Sequence, residues 1–161
     1  MTATTHPETT ITAPKDLPTI EIVREFDASP EAVFRAHTDP ELVKQWLGPR
    51  RVTMAIDHFD ARTGGSYRYS HSDDDGNEYR FFGAFHEVRP NERIVQTFTY
   101  EGFPDGVSLE TLTLEDLGNG RTRLRGISVV DTMEARDAMV ASGMETGIVE
   151  GYERLDELLA R

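Results

Sequence analysis

From Arg51 to Val130 the chain alternates apolar and polar side chains through six consecutive runs. "RVTMAIDHF", "GSYRYSHS", "NEYRFFGAFHEVR", "ERIVQTFTYE", "VSLETLTLEDL" and "RTRLRGISVV" each read as a strand, because a period of two is what a pleated chain with one buried face requires. Between them, "DDDGN", "RPNE" and "LGNG" are hairpin chemistry, with Gly76 and Gly120 able to take positive φ. Links this short make neighbouring strands antiparallel, and a single sheet so built has one face that must be covered.

The elements on either side supply the cover. "TIEIVREFDA" alternates and reads as a first strand; "SPEAVFRAHTD" follows with Ser29 as N-cap, Pro30 at the first helical position and Glu31 in the first turn. A second short helix starts at Asp39-Pro40 and stops at Gly48-Pro49. The last thirty or so residues read as one long helix capped near Asp131 or Thr132, with Met133, Val140, Met144, Ile148, Leu155, Leu158 and Leu159 close to a 3.6-residue period. It is the only element long enough to cover the sheet. The expectation is an α+β fold over 19–161: a curved antiparallel sheet of about seven strands around a long C-terminal helix, with two short helices after the first strand. Residues 1–18, "MTATTHPETTITAPKDLP", are Thr- and Pro-rich with little to bury and predict a disordered polar tail that lacks the basic start and apolar core of a signal peptide.

Composition removes whole classes of function. Lys and Arg number 17 against 29 Asp and Glu, and the net charge of −12 repels phosphate backbones and anionic lipid, so no nucleic-acid partner is expected. There are no cysteines, hence no disulfides, thiolate metal sites or Cys nucleophile. No apolar run approaches the roughly 20 residues of a membrane span. The five histidines, His6, His37, His58, His71 and His86, show no metal-ligand spacing, so no metal or other cofactor is expected. These features together predict a cytoplasmic protein, monomeric or homodimeric.

Four segments in order resemble the family named after the activator of the heat-shock-protein-90 ATPase, within the START and birch-pollen-allergen-like (SRPBCC) superfamily. They are "FRAHTDPELVKQWLGP" with Trp46, Gly48 and Pro49; "DARTGGSYRY" with Asp60, Arg62, Gly64 and Gly65; "DGNEYRFFGAFHEVRPNERIVQTF" with Gly83, Phe85, Glu87, Pro90, Glu92 and Arg93; and "SGMETGIVEGYERLDELLA". The resemblance spans residues 20–160 and implies a helix-grip architecture with a hydrophobic-ligand cavity between sheet and terminal helix. Some superfamily members, such as polyketide cyclases and aromatases, do chemistry in that cavity. The eponymous activator docks on the chaperone through an additional N-terminal domain, where this sequence has only the polar stretch 1–18; a chaperone partner is therefore not the expectation.

Candidate site residues follow from that architecture. A cavity holding a hydrophobic small molecule would be lined by Trp46, Met54, Tyr69, Phe81, Phe98, Leu112, Met133, Val140, Met144 and Ile148, with Arg136 as an inward charge able to orient a ligand carboxylate or carbonyl. Gly143, Gly147 and Gly151 lie four apart in the terminal helix, where each costs about 1 kcal/mol against alanine; a bare stripe would let a ligand, or the sheet itself, approach the backbone. His58, His86 and Glu110 lie on strands whose inward face the alternation leaves undecided. Asp60 and Arg62 read as a turn-stabilising ion pair, and Arg121, Arg123 and Arg125 as an outer face paired with carboxylates across the strands. No nucleophile is identifiable. The favoured function is non-enzymatic binding, the alternatives being a cyclase-, aromatase- or hydrolase-like enzyme in the same cavity and a chaperone-interacting module.

Overall fold

The computed structural model describes the backbone of Thr2–Thr5 and all residues from 9 to 161. In chain order the elements are β1 (Thr2–Thr5), β2 (Thr9–Ala13), β3 (Thr19–Phe26), α1 (Pro30–Thr38), α2 (Pro40–Val43), β4 (Thr53–Phe59), β5 (Ser66–Ser72), β6 (Glu78–Arg89), β7 (Arg93–Tyr100), β8 (Ser108–Gly118), β9 (Arg121–Val129), α3 (Met133–Ala141) and α4 (Met144–Leu159). The strands form one curved antiparallel sheet in the order β1-β2-β3-β9-β8-β7-β6-β5-β4. The meander β4–β9 follows chain order, and only the β3–β9 pairing joins distant segments. The α+β helix-grip expectation holds.

Local chemistry sets many of the boundaries. Ser29 Oγ accepts from the Ala32 amide and Asp39 Oδ1 from the Glu41 amide, so each short helix starts at a side-chain cap followed by proline. Gly76 and Gly120 take positive φ, at 86° and 72°, in the turns that predicted them.

Two features depart from the sequence expectation. The sheet has nine strands instead of about seven, because the supposed polar tail contributes β1 and β2. β2 pairs with β3 in a register that sets Ile11 opposite Ile22, and Ile11 is buried with Ile20 and Ile22 beneath Met139, Met144, Ile148 and Val149. Threonine-rich sequence suits a strand once a neighbour is present to pair with it. Residues 1 and 6–8 of that segment lie outside the described residues. The terminal helix is also two helices. Thr132 caps α3 through its hydroxyl, and the chain breaks at Ser142-Gly143, where Gly143 adopts φ 87°. That left-handed conformation favours glycine and separates α3 from α4.

The glycine stripe has a different meaning from the one expected of it. A Cβ on Gly151 would lie 3.3 Å from the Trp46 carbonyl oxygen and 3.4 Å from the Gly48 amide nitrogen, and one on Gly147 would lie 3.5 Å from Pro49 Cδ. The bare face of α4 therefore packs on the loop after α2. Arg154 fastens the same contact, donating to the carbonyls of Gln45 and Gly48.

Three apolar clusters result. Phe26, Val33, Ala36, Trp46, Leu124 and Leu155 join α1, the turn after α2 and α4 to β3 and β9. The Ile11–Ile20–Ile22 cluster meets α3 and α4. Tyr67, Tyr69, Phe85 and Ile94 form the third on β5–β7, and its described members include nothing from α3 or α4.

Candidate functional site

The region between the first and third clusters falls on the middle of the concave face. On β8, Leu109 is 44% exposed, whereas Leu112 packs against both clusters; alternation therefore turns Ser108, Glu110, Leu112 and Leu114 inward. Pairing sets Glu110 opposite Gln96 of β7 and Ser128 of β9, so three polar side chains cross three adjacent strands in one row.

Glu110 is the chemically distinctive member. Ser108 Oγ donates to its Oε2 at 2.8 Å, and Ser128 provides a second hydroxyl hydrogen bond. Burial raises its pKa, and the two hydroxyls offset only part of that shift. The arginines and the one lysine that form ion pairs among the described residues all pair with other carboxylates, and none reaches Glu110. Three phenols stand within its electrostatic reach. Burial raises the pKa of Tyr67, Tyr69 and Tyr152, and the Glu110 charge raises each further. The Tyr67 hydroxyl donates to the Thr97 carbonyl at 2.6 Å by lying across Gly83, where a Cβ would sit 2.6 Å from that hydroxyl. Only glycine admits the ring there.

Beside this row runs an aromatic ladder. Tyr69 stacks on Phe81 with centroids 5.2 Å apart, and Phe81 on Phe98 at 5.3 Å. His71 continues it on β5, 5.5 Å from Phe81, with a hydrogen bond to the Leu47 backbone. Its Nε2 is buried without a partner among the described residues, and burial, assisted by Arg154, lowers its pKa to about 4.

Of the residues expected to line a cavity, the structure brings Met54, Tyr69, Phe81, Phe98 and Leu112 together in the third cluster. Met144 and Ile148 lie on the Ile11–Ile20–Ile22 cluster. Trp46 is a core anchor: its Nε1 donates to the Ala36 carbonyl at 2.9 Å and its ring stacks on Tyr152. Met133 is half-buried on α3, and Val140 is 39% exposed. Arg136 is only 5% exposed, yet its charge is spent on the chain itself: Nη1 donates to the Pro14 and Leu17 carbonyls at 2.5 and 2.8 Å, and Nε to Asp137 at 2.9 Å. It fastens α3 to the segment before β3. His58 and His86 are exposed, so neither points inward.

Two readings of charged groups do hold. Asp60 and Arg62 pair at 2.7 Å across their turn, and Arg121, Arg123 and Arg125 pair with Asp27, Glu25, Glu115 and Glu21. The row itself was hidden. "SLETL" carries leucine in both registers, so its sequence pattern does not choose a face for Glu110. No group of three or more His, Asp or Glu among the described residues could hold a metal ion, and no helix among them is long and apolar enough to cross a membrane.

The fold and sequence are shared with known proteins. A crystal structure from Rhodobacter sphaeroides is 33% identical with a TM-score of 0.86, covering 95% of this chain and 99% of its own. A solution structure from Arthrobacter aurescens is 27% identical with a TM-score of 0.85, over 93% of this chain and 90% of its own. DynU16, a protein of the dynemicin biosynthetic locus, shares the fold at 22% identity and a TM-score of 0.66, over 89% of this chain and 47% of its own. No curated protein matches the sequence. Residues 27–160 match the family described as activator of Hsp90 ATPase homolog 1-like protein, and the chain belongs to that family.

Proposed function

We propose that the chain binds a small hydrophobic molecule in a hollow between the concave sheet and α4, with Met54, Tyr69, Phe81, Phe98 and Leu112 against its apolar body and Glu110 as its polar anchor. One observation carries this reading. Gln96, Phe98, Glu110 and Leu112 remain half-buried although they face inward from β7 and β8, at the centre of a nine-stranded sheet. Interiors pack to crystal-like density, so inner-face side chains under a flush helix would be fully covered. An aromatic wall with a few convergent polar groups is the usual composition of a small-molecule site. Native mass spectrometry of the protein purified from its own host tests the reading: a mass above that of the chain, lost on denaturation and absent from Phe98→Trp, is the expected result. A bare chain that also takes up no apolar probe argues against it.

A second reading, catalysis in the same hollow, is favoured by Glu110, an inward carboxyl whose pKa burial raises, since a carboxyl in such a place can act as a general acid. Chemical conversion of the co-purified molecule by wild type but not by Glu110→Gln would favour it. The interaction reading rests on the family description, and stimulation of a chaperone ATPase by this chain alone is its test.

A further inference from the structure

We infer that the occupant of the hollow is an organic cation, an apolar body carrying an ammonium-type charge that sits against the Glu110 carboxylate. This rests on the ligand-binding reading and specifies its ligand class.

The geometry leads there in three steps. Glu110 lies on the central strand of the sheet, and its hydrogen-bond partners are the hydroxyls of Ser108 and Ser128. A carboxylate that a bound apolar ligand cuts off from water is costly unless an opposite charge meets it. The described residues do not supply that charge. Arg24, the buried arginine on the inner face of β3, is engaged with Asp156 through Nη1 and Nη2 at 3.1 and 2.7 Å, with Thr9 Oγ1 and with the Glu25 carbonyl.

The surroundings of Glu110 also favour a cation. The phenols of Tyr67, Tyr69 and Tyr152 lie within electrostatic reach of the carboxyl, and Tyr69, Phe81 and Phe98 stack into an apolar wall beside it. An anionic ligand would set two like charges together in a desolvated place. A neutral ligand would leave the carboxyl uncompensated. The net charge of −12 adds a long-range field that draws cations towards the protein.

Matched eight-carbon probes test this by isothermal titration calorimetry: octylamine (cationic at neutral pH), octanol and octanoate. Octylamine is expected to bind about tenfold more tightly than octanol, with octanoate weakest, as a desolvated opposite charge implies. Glu110→Gln, which keeps the shape, should bring octylamine and octanol within about twofold while octanol binding persists. A variant-free arm uses pH. Towards acid, protonation of Glu110 removes the preference for octylamine, because the nearby inward groups Gln96, Ser108, Ser128 and the three tyrosines carry no charge there, Arg24 is paired with Asp156, and His71 stays neutral down to about 4. Octanol binding as tightly as octylamine overturns the inference while leaving the hydrophobic hollow intact. A preference that survives Glu110→Gln reports adsorption to the acidic surface and also overturns it. Failure of all three probes overturns the inference together with the ligand-binding reading.

Discussion

Arg136 offers the sharpest test of how the N-terminal segment is held. Its guanidinium is buried and bridges α3 to the carbonyls of Pro14 and Leu17, with Thr19 more distant at 3.4 Å. Hydrogen bonds from a charged donor contribute about 1.5–3 kcal/mol each when a buried partner would otherwise be orphaned. Leu17 is exposed, so water can replace the guanidinium at its carbonyl, and the ion pair with the exposed Asp137 adds little. Arg136→Ala should therefore cost about 2–3 kcal/mol, which for a domain of this size is a fall in Tm of roughly 4–12 °C. Arg136→Lys, with a point-like ammonium reaching fewer carbonyls, should recover about half. Urea unfolding followed by far-UV circular dichroism measures both, and hydrogen exchange at Ile11 and Thr12 should quicken in the alanine variant as β2 loosens. A change below about 0.5 kcal/mol, inside the range of ordinary surface substitutions, refutes the clamp. Loss of ligand binding at unchanged stability would return Arg136 to the ligand-orienting role read from the sequence.

Other substitutions separate the glycines by mechanism. Gly151→Ala drives a methyl towards backbone atoms of Trp46 and Gly48 that cannot swing aside, and should destabilise by about 1–2 kcal/mol, whereas Gly147→Ala meets only ordinary contact with Pro49 and should stabilise by up to about 1 kcal/mol; equal urea midpoints would contradict the packing. Gly83→Ala places its Cβ 2.0 Å from the Thr97 carbonyl and should yield little folded protein, visible as loss of near-UV dichroism. His37 and His71 are held neutral, both lowered to about 4 by burial. Because the unfolded state binds their protons more readily, the stability they contribute is present above about pH 6.5 and is lost as pH falls towards 4. Imidazole proton resonances titrating with midpoints near 6.5 in the folded protein would refute that burial.

What could be read without coordinates was local. Ser29-Pro30 and Asp39-Pro40 start helices because a short acceptor side chain and a fixed φ act within one turn. Gly76 and Gly120 reverse the chain for reasons confined to their own backbone. The alternation of the six runs states that strands exist, and their short links state that they are antiparallel. Which face of β8 carries Glu110 is another kind of fact. A period of two makes both faces equivalent until something covers one, and with leucine in either register only α1 and α4 packed on β3 and β9 make the choice. The same holds for "TTITA": Ile11 becomes core only when β3 pairs beside it and α4 lies above, contacts some ten to one hundred and forty residues away along the chain. Arg136 looked like a charge for a ligand until the fold brought Pro14 and Leu17 to it. The chain alone determined the capped short helices and the six alternating strands with their order, because those follow from interactions within a few residues. The tertiary structure decided which side chains line the concave face, because burial and charge compensation depend on neighbours that sequence distance does not reveal.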